Sequence, residues 1–190
     1  MTLDALERKR SREGLIALVG FALCIPAANW LIGNVGTKCL ENGPCLIPVA
    51  PGISAPSGVL MIGLALVLRD IIQRRLGPGW ALGAIVAGAV LSGMVAPPSL
   101  VFASAFAFFL SEGADMAVYT PLQKKRLMLA VVLSSIVGLL VDSVIFLYLA
   151  FGSLDFLSGQ IVGKFWMVLL ALPVIHWLRR RDERIGMGPA

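Results

Sequence analysis

Four ionisable side chains interrupt stretches that are otherwise apolar. Glu112 and Asp115 stand in VFASAFAFFLSEGADMAVY, Asp142 in GLLVDSVIF and Lys164 in GQIVGKFWM. An ionised group at the centre of a bilayer costs roughly 2.5–3.5 kcal/mol on insertion scales, so such groups turn inward, pair, or line a water path. Helical spacing puts Phe108, Glu112, Asp115 and Tyr119 on one stripe, Gly138, Asp142 and Phe146 on a second, and Gln160 with Lys164 on a third. A carboxylate accepts two N–H bonds side by side while aromatic rings cover the faces of a planar molecule. These residue types in this pattern point to a site for a flat heterocycle with N–H donors. Glu112, Asp115, Asp142 and Gln160 would contact it, Lys164 would set the charge of Asp142, and Phe108, Tyr119, Phe146 and Trp166 would stack. The competing reading is a structural cluster, in which Lys164 neutralises one acid and the others are protonated or hydrogen-bonded.

The elements that must hold these residues are membrane spans. Of 190 residues, 58% are hydrophobic and only 14% charged, with mean hydropathy +0.88, whereas a soluble domain carries roughly 25% charged residues. Apolar windows recur at the length of about 20 residues that crosses a ~30 Å hydrocarbon core. The alternating strands of a membrane barrel are absent. We expect an all-α, polytopic membrane protein, a six-helix bundle forming one domain over residues 1–190. The expected spans are 14–34, 57–76, 79–96, 99–120, 128–150 and 158–178, the second interrupted by RDIIQRR. The first apolar run is broken by Pro26 and Asn29 and lacks a small-residue cleavage site, so it reads as a span and not as a cleaved signal.

Charge placement orients the bundle. The net charge is +5, and 14 of the 16 basic residues fall before the first expected span, in the RDIIQRR stretch where the second approaches the third, between four and five, or after the sixth. By the positive-inside rule both termini are cytoplasmic, and the basic excess reports topology rather than a nucleic-acid partner. The location expected is the inner (plasma) membrane of a bacterium. Asp142 and Lys164 lie about 5 and 6 Å to the outer side of their spans' midpoints, at one level, so an ion pair is expected. Glu112 and Asp115 lie about 3 and 8 Å to the inner side of theirs, and all four fit a mid-membrane slab of about 14 Å. Transporters usually hold substrate at that depth.

Residues 35–56 form the longest connection, where four prolines forbid a regular helix. Cys39 and Cys45 lie in it, and their spacing suits a disulfide or two free thiols equally. The only histidine, His176, belongs to the opposite end, so no metal site is expected. Span three, GWALGAIVAGAVLSG, carries Gly79/Gly83, Ala84/Gly88 and Ala89/Gly93 at the spacing of close helix approach, which packing explains. Pro26 and Pro173 free backbone carbonyls inside spans one and six, as kinks or hinges. No phosphate-binding loop occurs, so no ATPase and no cofactor is expected.

The order of these motifs resembles the queuosine precursor transporters, also known as the vitamin uptake transporter family. The resemblance rests on LALVLRDIIQRRLG, with Asp70 at the family's aspartate position, then ASAFAFFLSEGADMAVY, SSIVGLLVDSVIFLYLAFG and Lys164, over roughly residues 56–175. It implies import of the bases 7-cyano- and 7-aminomethyl-7-deazaguanine for making queuosine in tRNA, by secondary or facilitated transport. A guanine-like edge offers N1–H and an exocyclic amine, which suits carboxylate acceptors. Leu139 stands where family members often carry Asn, and Glu112 where some carry Gln, which bears on the choice between the two bases. Asp70 with Arg69, near the cytoplasmic end, is expected to be a gate or a structural pair.

Partners expected are the small heterocyclic base and the lipid bilayer, with a homodimer left open. Two other functional classes remain. One is the substrate-binding subunit of an energy-coupling-factor vitamin importer, which would need ATPase partners. The other is an intramembrane aspartyl hydrolase using Asp115 and Asp142 as a dyad sharing a proton. A purely structural membrane protein would tolerate neutralisation of every buried acid.

Overall fold

A computed structural model describes residues 3–188, apart from Asn42 and Pro97. Six helices account for most of the chain: α1 (Leu3–Asn34), α2 (Val59–Leu76), α3 (Pro78–Val95), α4 (Val101–Leu122), α5 (Leu127–Phe151) and α6 (Leu157–Ile185). A single 3₁₀ turn, Pro98–Leu100, leads into α4. Local chemistry sets several of these boundaries. Gly77, at φ 97°, takes a backbone conformation that disfavours other residues, and Pro78 opens α3 at its first turn. Left-handed glycines at 152 and 186 end α5 and α6.

Five of the helices, α1 and α3 to α6, are long and apolar enough to cross a membrane. The second expected span, α2, is not, and its packing explains why. It carries Arg69, Asp70, Arg74 and Arg75, yet no residue of α2 is exposed, because it touches all five other helices. The apolar surface that lipid would meet is carried by the others, through residues such as Ile16, Val90, Phe102, Leu140 and Leu170. A helix that never faces hydrocarbon can afford charge if each charge finds a partner inside.

Two apolar clusters flank α2. One joins Phe21 and Ile25 of α1 to Ile72, Ala84 and Phe108; the other joins Val67 to Tyr119, Val131, Val168 and Ile175. The small-residue face of α3 is only half used. Ala84 and Gly88 are buried, with a Cβ at Gly88 placed 2.7 Å from the Phe108 ring, whereas Gly79 and Gly83 meet nothing within 4 Å among the described residues.

Residues 35–56 are more regular than an all-helical reading allows. They form a three-stranded antiparallel sheet, β1 (Lys38–Cys39), β2 (Cys45–Ala50) and β3 (Ile53–Pro56), in the order β1-β2-β3. Cys39 lies directly opposite Cys45, and the two form a disulfide. Pro48 is accommodated in the central strand by a register shift between it and Ala50. The sheet caps one end of the bundle, held by Ser57 Oγ donating to the Leu31 carbonyl at 2.6 Å and Trp166 Nε1 donating to the Val49 carbonyl at 3.0 Å.

At the other end, α1, α2 and α6 are tied together by ion pairs. Arg75 binds Asp182 in bidentate fashion at 2.8 and 3.0 Å and reaches Glu13 at 3.0 Å, while Arg181 meets Glu13 at 2.6 Å. Bidentate geometry and burial make this a stronger tie than an exposed pair.

Candidate functional site: a capped cavity above a buried charge layer

At the sheet-capped end, all six helices converge on a cavity of about 540 Å³, counting the space at its mouth. Its polar groups are Asp142, Gln160, Asn29, Ser92 and Ser104, and its aromatic groups are Phe108 and Phe146. Asn29 donates its amide N–H back to the Ile25 carbonyl, which leaves the amide oxygen for the cavity. Gln160, Ser92 and Ser104 make no side-chain hydrogen bond among the described residues. Phe146 meets Phe151 edge-on at 5.9 Å, and Phe108 packs against Phe21 at 5.8 Å, so both rings are supported from behind.

Behind Asp142 stands its counter-ion. Lys164, with none of its side chain exposed, donates from Nζ to Asp142 Oδ2 at 2.5 Å and to Ser143 Oγ at 2.8 Å. The ion pair expected from the depths of these two residues is present. Lys164 occupies one carboxylate oxygen of Asp142, Oδ2, and leaves Oδ1 as an acceptor at the cavity wall.

One turn further along α4 from Phe108, outside the cavity lining, lies a buried charge layer. Arg69, fully buried, donates Nε to Glu112 Oε2 at 3.3 Å and Nη2 to Asp115 Oδ1, contacts Asp70 Oδ1 at 3.1 Å through Nη1, and gives Nη1 to Gln73 Oε1 at 3.1 Å. Its guanidinium lies 5.5 Å from the centre of the Tyr119 ring. Ser134 of α5 donates to Asp70 Oδ2 at 3.4 Å. Gly138 makes room for this layer, because a Cβ there would lie 3.0 Å from Cβ of Asp115.

The sequence-derived candidates therefore separate into two groups. Asp142, Gln160, Phe108 and Phe146 line the cavity, with Lys164 directly behind. Glu112, Asp115 and Tyr119 face inward on the expected stripe but turn to Arg69. Asp70 and Arg69 do pair, within this mid-bundle layer; Arg74 and Arg75 bind Asp182 instead. Trp166 is half exposed and bonds the sheet. Asp115 and Asp142, the two acids of the hydrolase reading, are each held by a different cation. Sequence reasoning missed Asn29, Ser92 and Ser104, whose only signal is a polar residue in an apolar helix. It also missed Arg69 as the common partner of three acids.

Residues 94–178 match the model of a family described as "Putative vitamin uptake transporter". No curated protein and no solved structure matches the chain. The matched residues include α4, α5 and the stretch of α6 with Gln160 and Lys164, and hence Glu112, Asp115 and Asp142. The match covers a little under half of the chain, and over this segment the chain is similar to that transporter family.

Proposed function

We propose that the protein imports the queuosine precursors 7-cyano-7-deazaguanine and 7-aminomethyl-7-deazaguanine, by secondary or facilitated transport through the capped cavity. The observation that carries this reading is the composition of the cavity wall. The Lys164-paired Asp142, the Gln160 amide and the Asn29 carbonyl oxygen lie around a space bounded by Phe108 and Phe146. A guanine-like edge presents N1–H and an exocyclic amine side by side, which one carboxylate accepts in parallel while rings cover the faces. Gln160 offers both a donor and an acceptor, as a base with a carbonyl beside its N–H requires. In this reading the basic end with both termini is cytoplasmic, the sheet faces outward, and the membrane is a bacterial inner membrane.

The test is rescue. Bacteria lacking both deazaguanine synthesis and their own importer are given the gene and a low concentration of each base, and queuosine in tRNA is measured. Wild type restores queuosine, and membrane-inserted Asp142→Asn and Gln160→Ala do not; a well-expressed wild type that rescues with neither base refutes the reading. A cavity lined only by the sheet-side halves of the helices also suits a substrate-binding subunit that depends on ATPase partners. Uptake by the purified protein alone in liposomes eliminates that alternative.

A further inference from the structure

The buried charge layer does not balance. Asp70, Glu112 and Asp115 are all in contact with one cation, Arg69, while Lys164 is already matched by Asp142. The other charged and titratable groups around Asp70 are Tyr119 from α4, stacked under Arg69, and Arg74 from α2, which is engaged by Asp182. α5 adds only the Ser134 hydroxyl. With every acid ionised, the layer would hold two negative charges without a counter-ion, and an uncompensated buried charge is strongly destabilising. A second observation points the same way. Asp115 Oδ2 is buried with no hydrogen-bond donor, and Asp70 Oδ1 touches Arg69 without hydrogen-bond geometry. A protonated carboxyl supplies the missing donor, and two acids sharing a site hold a proton between them.

A small cavity adjoins this layer on the side opposite the substrate cavity. Asp70 and Tyr119 line this second cavity with Leu127, Val131 and Ile175, whose space for a water's centre, about 10 Å³, is room for about one water. Glu112, for its part, lies one turn from Phe108 of the substrate cavity, about 6 Å along α4. The layer thus lies between the two cavities, with Asp70 lining the second.

We infer that Asp70 and Asp115, held by Arg69, form a proton site separate from the heterocycle site, exchanging its proton through the cavity at Asp70 and coupling proton movement to transport. The coupling rests on the transporter reading above; the proton site does not. In the step itself only a proton moves. It leaves the carboxyl O–H of the Asp70–Asp115 pair for water in the small cavity, and Arg69 remains to hold both carboxylates.

Infrared spectroscopy of the purified protein tests the site without any substrate. At neutral pH the wild type shows a protonated-carboxyl C=O band that shifts in heavy water and is lost or reduced in Asp70→Asn or Asp115→Asn. A folded wild type without that band overturns the site. Proteoliposome uptake of labelled 7-cyano-7-deazaguanine tests the coupling. With the membrane potential clamped at zero, an inward gradient of one pH unit drives about tenfold accumulation for one proton per neutral base. Asp70→Asn exchanges the base without accumulating it. Wild-type accumulation that ignores the gradient overturns the coupling, whether or not Asp70→Asn folds. Absence of uptake under any gradient, with the carboxyl band intact, refutes the substrate reading and supports the proton site.

Discussion

Replacing Lys164 by methionine keeps the length of the side chain and removes its ammonium. In the native protein that ammonium gives hydrogen bonds to Asp142 at 2.5 Å and Ser143 at 2.8 Å, in a position with no exposed side-chain surface. Truncating one partner of a buried ion pair costs roughly 3–5 kcal/mol, because the remaining charge is left uncompensated. Lys164→Met should therefore lose about 3–5 kcal/mol of stability. Adding Asp142→Asn replaces the orphan carboxylate by a neutral amide, so the double variant should be more stable than Lys164→Met alone. The assay is denaturant unfolding in mixed micelles of the four proteins of the cycle. Losses that simply add, or a Lys164→Met loss below about 1 kcal/mol, would refute the view that this pair sets the charge at the cavity wall.

Further outcomes follow from the packing and the cap. Gly138→Ala places a Cβ 2.8 Å from Leu66 and 3.1 Å from Asp115 Oδ2, so overpacking should cost about 1–3 kcal/mol in the same unfolding assay. Phe146→Ala should weaken base binding by about 2- to 12-fold, the value of one aromatic contact of about 0.5–1.5 kcal/mol, with unfolding stability checked in parallel. Cys39→Ser with Cys45→Ser opens a loop of sequence separation 6, for which loop closure predicts a loss of about 2 kcal/mol, read as a lower unfolding midpoint insensitive to reductant. Arg75→Met removes the bidentate bond to Asp182 that ties α2 to α6; Asp182 keeps Arg74 at 3.3 Å and Arg181 at 3.2 Å, so a loss of about 1.5–3 kcal/mol is expected, and an unchanged midpoint would show the tie to be dispensable.

Much of this organisation could be read along the chain because a bilayer is a demanding solvent. An apolar run of span length has few alternatives to a membrane helix, so α1 and α3 to α6 were legible from composition, and inward stripes such as Phe108–Glu112–Asp115–Tyr119 from helical period alone. The level shared by Asp142 and Lys164 was legible for the same reason, since rise per residue converts sequence position into depth. Residues 35–56 were harder. Prolines announce only what the backbone cannot do, and the three strands depend on Cys39 meeting Cys45 and on a bulge at Pro48.

What the order of residues determined by itself is a property of each helix taken singly: its length, its inward face, and the depth of every charge. What only the tertiary structure decided is which helix meets which. α2 reads as a marginal span in isolation, and becomes the central helix because five neighbours shield it. Arg69 reads as a loop-proximal cation, and becomes the shared partner of Asp70, Glu112 and Asp115 because α2 and α4 face each other there. Whether an acid contacts substrate or a buried guanidinium is set by distances of a few ångströms between helices far apart in the chain, and a hydrophobic period carries no term for the identity of the neighbour.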